Sequence, residues 1–287
     1  MRQVAYLTLT LATMMIVGAL HAQNLQTPAP SPAAKVEQTV GINTFTISYA
    51  RPGVKGRELF VDVESWGNMW RTGANAGTFL EFDGTADFGG TSVEAGRYMV
   101  LSIPGQEEWT WMLYTDTSIG GNLSLYDESK VAAKWTSKTN TWDQNVERLT
   151  FTFNNVTDNS AEIAMYWGKY ATSFKVTVDT DTQVMAQIGE VMENPMARVG
   201  GLHAQAATYY LQNDKDLDKA LEWMTKAIEI NPNAFWNIHT KAQILAKMGK
   251  KKEAIETANK SKDMAKNNPG GDFGYVKRND DLIASIK

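Results

Sequence analysis

The spacing of apolar residues changes once along the chain, and that change dictates two folds rather than one. Up to about residue 178, apolar and polar residues alternate. Thr44–Tyr49, Leu149–Phe153 and Ser173–Val178 all follow a period of two, the signature of a strand with one buried face. Further short runs lie at Thr78–Phe82, Arg97–Ser102, Trp109–Tyr114 and Ala161–Trp167. Turn-forming strings separate several of them: Asp83-Gly84, Gly89-Gly90, Glu94-Ala95-Gly96 and Pro104-Gly105-Gln106. Short strands at close spacing, with no helical period between them, predict an antiparallel sandwich or barrel-like sheet. From Ala204 onward, apolar residues recur at three and four, the period of packed helices. The reading is α+β with two domains: a β-sandwich domain over 36–182, a connecting helix over 183–196, and an all-α repeat domain over 197–287.

The helical part repeats itself. At an offset of about 34 residues, a known helical-repeat length, Leu211 falls on Leu245, Ala220 on Ala254 and Leu221 on Ile255. That period resembles the tetratricopeptide repeat, a helical hairpin that stacks into a solenoid. In the first unit Ala207, Ala220, Ala227 and Pro232 fall where that pattern wants small residues and a terminal proline. The second unit departs, with Lys241, Ser261 and Lys266 at the places of Ala207, Ala227 and Pro232. Two units and a final helix near Asp280–Ile286 fall short of the roughly three units that bury a continuous core. The pair is therefore expected to pack on the sheet domain or on a partner. Repeat geometry assigns Gln205, Tyr209, Gln212, Trp236, His239 and Gln243 to a concave groove suited to an extended peptide. The alternative is that the final helix or the sheet domain fills it.

Residues 1–22 read as a secretory signal peptide. Arg2 precedes an apolar stretch from Val4 to Leu20, and Ala22 ends it. The stretch is shorter than the roughly 20 apolar residues of a spanning helix. The expectation is an exported protein, periplasmic or extracellular, with no membrane span after cleavage; a retained anchor is the alternative. Residues 23–35 follow with Pro28, Pro30 and Pro32 and read as an extended linker.

Composition narrows the chemistry. Cys is absent, which excludes disulfides, thiolate metal sites and cysteine nucleophiles. No metal and no cofactor is expected. Residues 23–194 carry 21 acidic against 12 basic residues, and residues 195–287 carry 11 against 15. An acidic sheet domain argues against nucleic acid, which needs a strong basic footprint. The sheet domain after residue 22 contains no His, so a Ser–His–Asp triad there would need His203 or His239 from the helices. A carboxylate pair, Asp62 and Glu64, is the remaining acid/base candidate.

Two stretches carry recognition chemistry. Arg51, Lys55 and Arg57 place three cations in seven residues, with Gly53 and Gly56 among them; such a loop suits an anion. Trp66, Asn68, Trp70, Arg71 and Asn75 combine apolar plates with a planar fork of donors, a set that can stack on a sugar ring. The same residues can instead be core and turn, as aromatic residues mostly serve packing. Seven of the nine Trp lie in the sheet domain, and Trp109 and Trp111 share one strand face.

Residues 36–178 resemble a family of secreted bacterial proteins of unknown function, domain-of-unknown-function family number 2911. The resemblance rests on Tyr49-Ala50-Arg51-Pro52-Gly53-Val54-Lys55-Gly56-Arg57, Trp70-Arg71-Thr72-Gly73-Ala74-Asn75, Gly89-Gly90 and Glu94-Ala95-Gly96-Arg97-Tyr98. It continues through Ile103-Pro104-Gly105-Gln106-Glu107-Glu108-Trp109 and Tyr166-Trp167-Gly168. It implies a mainly β domain and export in Bacteroidetes-type organisms, and brings no activity with it. The reading is therefore a non-catalytic exported binding protein. Its sheet domain would take a glycan or an anionic small molecule, and its helices a protein or peptide. A carboxylate-dependent hydrolase of envelope glycans is the alternative.

Overall fold

A computed structural model describes residues 27–193 and 200–286. The chain divides into two units between Thr180 and Asp181. The expected signal segment at 1–22 lies outside the described residues, as do the first residues of the expected linker and part of the 183–196 connection.

The first unit is one antiparallel sheet of nine strands in the order β1-β2-β3-β6-β7-β8-β9-β4-β5. The strands are β1 Ala33–Val40, β2 Asn43–Ala50, β3 Thr78–Phe82, β4 Ala86–Phe88, β5 Thr91–Val93, β6 Gly96–Ile103, β7 Glu108–Tyr114, β8 Val131–Asn154 and β9 Ser160–Thr177. β8 is 24 residues long and changes partner along its length, pairing with β7 through Val131–Lys138 and with β9 from Thr139 onward. That change lets the sheet fold over a single core, so strands that are not neighbours meet across it. Tyr49 meets Phe151 edge-on at 5.0 Å between ring centres, Phe82 meets Phe88 at 5.4 Å, and Trp111 meets Phe174 at 5.0 Å. Pro52–Val54, just after β2, bonds to Glu147–Leu149 of β8: Val54 N–H donates to Glu147 O, and Leu149 N–H to Pro52 O.

The outer face of β6 and β7 is covered too. Met99, Leu101, Met112 and Tyr114 are buried there with Ile119. The cover comes from the segment between β7 and β8, which forms three 3-10 turns at Thr117–Ile119, Leu123–Leu125 and Glu128–Lys130. Asp116 and Asp127 start two of them by accepting from Ser118 N–H and Ser129 N–H. Lys130 pairs with Asp116 at 2.6 Å and holds that carboxyl down at about 2. Burial on both faces is why Met99–Leu101 and Trp111–Tyr114 read as continuous apolar runs rather than alternations.

Three expectations need revision. The runs at Ala161–Trp167 and Ser173–Val178 belong to one strand, β9, because Gly168 lets it continue at a register shift opposite Val146. Gly168 sits at φ +60°, and a Cβ there would come within 2.6 Å of the Leu59 side chain. The expected linker over 23–35 overlaps β1, and Pro30 and Pro32 in it are bound rather than loose. Arg51 N–H donates to Pro32 O at 2.8 Å, Arg148 Nη1 to Pro30 O at 3.3 Å, and Asn75 Nδ2 to Ser31 O at 3.3 Å. Proline offers carbonyls but no donor, so the sheet supplies the donors. The connecting helix begins at Thr180, ahead of the expected 183.

The second unit has helices α1 Thr180–Glu193, α2 Gly200–Gln212, α3 Leu217–Ile230, α4 Phe235–Lys247, α5 Lys251–Lys266 and α6 Tyr275–Ile286. The α2–α3 and α4–α5 hairpins are the two repeats. Ala207, Ala220, Ala227 and Ala254 are wholly buried, where only a methyl fits between close helices. Asp216 caps α3 through Asp218 N–H and Lys219 N–H. Lys247 donates to Leu211 O at the end of α2 and pairs with Asp214, a cation at a helix C-terminus. α1 is tied to α2 by Tyr209 and to the turn after α2 by Lys215, both bonded to Asp181. The departure at Ser261 has a structural account. Its buried hydroxyl donates to Phe235 O and accepts from Asn279 Nδ2 of α6, so the polar substitution is where the last helix docks.

Candidate functional site

The arginine and tryptophan groups of the sheet unit are mostly spent inside it. Trp70 is 2% exposed, stacks on Trp167 with ring centres 5.4 Å apart, and donates from Nε1 to Gly73 O at 3.1 Å. Trp66 is half-buried and meets Phe60 at 4.3 Å. Trp109 and Trp111 are both fully buried, so the strand face they share is core, not platform. This corrects the expectation that Trp70 meets a ligand. The loop from Arg71 returns the chain to β3 and places Trp70 against the centre of β7 and β9.

The cations divide in the same way. Arg51 donates to Leu149 O at 2.9 Å and to Thr150 Oγ1 at 2.6 Å, bracing β8. Arg57 donates to Val54 O and Gly53 O, holding its own loop together. Lys55 remains exposed, and its backbone N–H donates to Glu147 Oε1 at 2.9 Å. Asn75 stands at φ +58° and holds Ser31. Arg71 lies beside Glu64, whose carboxyl is pushed up by burial against the opposing pull of that guanidinium. Asp62 closes its own turn by accepting from Glu58 N–H at 2.8 Å. These groups serve the loop, the strap of prolines and the core.

The open recognition geometry lies in the helical unit. A groove of about 740 Å³ runs between α2 and α4 and reaches α6. Gln205, Tyr209 and Gln212 line one wall, and Trp236, Asn237 and Thr240 the other. Gln205, Tyr209 and Gln212 share one helix face at spacings of four and three, and Thr240 lies one turn beyond Trp236 and Asn237. No charged residue lines the groove. Thr240 and Thr208 turn their hydroxyls back onto carbonyls of their own helices. The amides of Gln205, Gln212 and Asn237 make no intramolecular hydrogen bond among the described residues and stay available. Trp236 is 44% exposed and is steadied by Phe235 at 5.1 Å.

Two residues assigned to the groove from repeat geometry lie elsewhere. His239 is buried at 7% exposure; its Nδ1 is 2.8 Å from Asn279 Oδ1, and its ring meets Tyr275 edge-on. Burial holds its imidazole below the usual value, against the raising effect of the Asn279 hydrogen bond. The reason is α6, which packs on that side of α4 and brings Asn279 and Tyr275 with it. Gln243 is half-buried and outside the lining. Sequence reasoning missed Asn237, Thr240 and Tyr275 among the lining residues; the first two lie on α4 beside Trp236, the third on a helix outside the repeat.

Among the described residues no helix is long and apolar enough to cross a membrane. No group of three or more His, Asp or Glu there could hold a metal ion. The family described as Protein of unknown function (DUF2911) matches residues 31–176, and the tetratricopeptide repeat matches residues 202–234 and 238–268. No curated protein and no solved structure matches the chain. With half its length covered by that family, the chain belongs to the DUF2911 proteins of unknown function and carries tetratricopeptide repeats after the family domain.

Proposed function

We propose that this is an exported interaction protein whose helical unit holds an extended, uncharged peptide segment in the groove between α2 and α4. The carrying observation is the lining: free amides on both walls, the exposed ring of Trp236 facing the half-buried ring of Tyr209, and no charge. Amides of Gln and Asn present donor and acceptor together, which matches the alternating N–H and C=O of an extended backbone. The rings supply apolar area for side chains at low entropic cost. Without a lysine or arginine in the lining, a terminal carboxylate gains nothing, so the preferred ligand is an internal segment. Export rests on the charged, apolar and small-residue order of residues 1–22; N-terminal sequencing of the protein from a periplasmic fraction tests it, with Gln23 expected and Met1 contrary.

Panning a displayed random-peptide library on the full chain tests the groove. Selected peptides should be poor in charge, and Tyr209→Ala with Trp236→Ala should weaken them about tenfold or more, equivalent to about 1.4 kcal/mol. Selected peptides that bind the double variant as tightly as the parent would overturn the reading. For the sheet unit, the Arg51–Asn75 residues lend no support to an anion site or a carboxylate hydrolase, since most of their groups are engaged internally.

A further inference from the structure

The register of β8 against β9 is broken twice, and only one break has a structural account. Between Val146 and Thr150, β8 leaves β9 to bond with Pro52–Val54, and this pairing explains the extra residues. Between Thr141 and Val146, the four residues Trp142, Asp143, Gln144 and Asn145 stand opposite Lys169 alone. All five are exposed, and none of the five side chains has a hydrogen bond or ion pair among the described residues. Bulges that re-aim side chains concentrate beside functional sites. This bulge lifts out one tryptophan, 42% exposed, in a unit whose other tryptophans are buried or half-buried. The ring is not loose, for it meets Tyr166 edge-on at 5.1 Å.

We propose that Trp142, steadied by Tyr166, followed in the bulge by Asp143, Gln144 and Asn145 and with Lys169 opposite, is a glycan-binding platform. A pyranose has one apolar face of C–H groups and a rim of hydroxyls. A single exposed indole in a bulge that also carries carboxylate and amide residues, with an ammonium residue opposite, can match both parts. A protein interface would surround the anchor with further apolar residues. A membrane anchor would lack the acid next to the ring and carry apolar neighbours. Neither describes this bulge. The site is separate from the helical groove and stands or falls independently of it.

Calorimetric titration of the full chain with cellohexaose, laminarihexaose and chitohexaose tests the proposal, with phosphatidylcholine vesicles as the competing arm. At least one hexasaccharide should bind, and Trp142→Ala should weaken it about tenfold or more, equal to about 1.4 kcal/mol, with an unchanged melting temperature. The Gln144→Ala/Asn145→Ala double variant keeps the ring, carries the test should Trp142→Ala destabilise the sheet, and should weaken binding about threefold or more, about half that energy. No binding of any hexasaccharide at millimolar concentration, binding indifferent to both variants, or Trp142-dependent capture by the vesicles instead would overturn it.

Discussion

The two units use the same side chains in opposite directions. In the sheet, Trp70, Trp109, Trp111 and Trp167 are at most 2% exposed, whereas Trp236 on α4 is 44% exposed. A sheet that folds over itself closes both faces of its central strands, so a large ring there has nowhere to go but inward. A helix in a two-repeat stack has one face in the seam and another that stays open. Density of Trp and Arg therefore says little about a ligand in the first unit, while position on the helical wheel says much in the second.

That contrast can be broken most severely at Trp70. Trp70→Ala should cost about 3–5 kcal/mol of stability, read by denaturant unfolding of the full chain. A loss under about 1 kcal/mol, the range of an exposed site, would place the ring at the surface. Arg51→Ala comes next. It removes two donors from Leu149 O and Thr150 Oγ1, and about 1–3 kcal/mol should go with them; an unchanged midpoint would mean the brace is idle.

The buried imidazole of α4 sharpens the comparison through pH. His239 in the fold titrates below its unfolded value of about 6.5. As pH falls through 6.5, the unfolded chain takes the proton first, so the folded helices lose stability until the folded imidazole titrates as well. The melting temperature followed by far-ultraviolet circular dichroism should drop between about pH 7 and pH 5, and His239→Gln should flatten that slope. A slope unaltered in the variant would assign it to carboxylates instead. The smallest stability effect belongs to Trp236→Ala, within about 0.5 kcal/mol, although it should impair capture of groove peptides. A large stability loss there would make Trp236 a core residue.

Much of the fold was legible in the sequence. Strand β2 follows from alternation, β3, β6 and β7 from short apolar runs set between turn residues, and the Ala207, Ala220 and Ala227 positions locate the first helical hairpin. Pairing across distance was less so. The runs before and after Gly168 look like two strands, because a bulge and a turn carry the same glycine. β1 hides behind prolines that seem to end any regular structure. The segment after β7 is signalled only by Asp116-Thr117-Ser118 and Asp127-Glu128-Ser129, short capping strings. For the site, helical period located Gln205, Tyr209, Gln212 and Trp236, yet it could not foresee that Asn279 would draw His239 inward, since α6 stands outside the repeat. Trp142 was one of seven sheet tryptophans with nothing in the alternation to single it out; its exposure comes from a register break between strands.

Hydroxyl-radical footprinting of the full chain, read at each tryptophan by mass spectrometry, bears most directly on this division of roles. Trp236 and Trp142 should be oxidised fastest, with Trp70, Trp109, Trp111 and Trp167 protected as long as the chain stays folded. Oxidation of Trp70 as rapid as that of Trp236 would return recognition to the Arg51–Asn75 stretch and contradict the account.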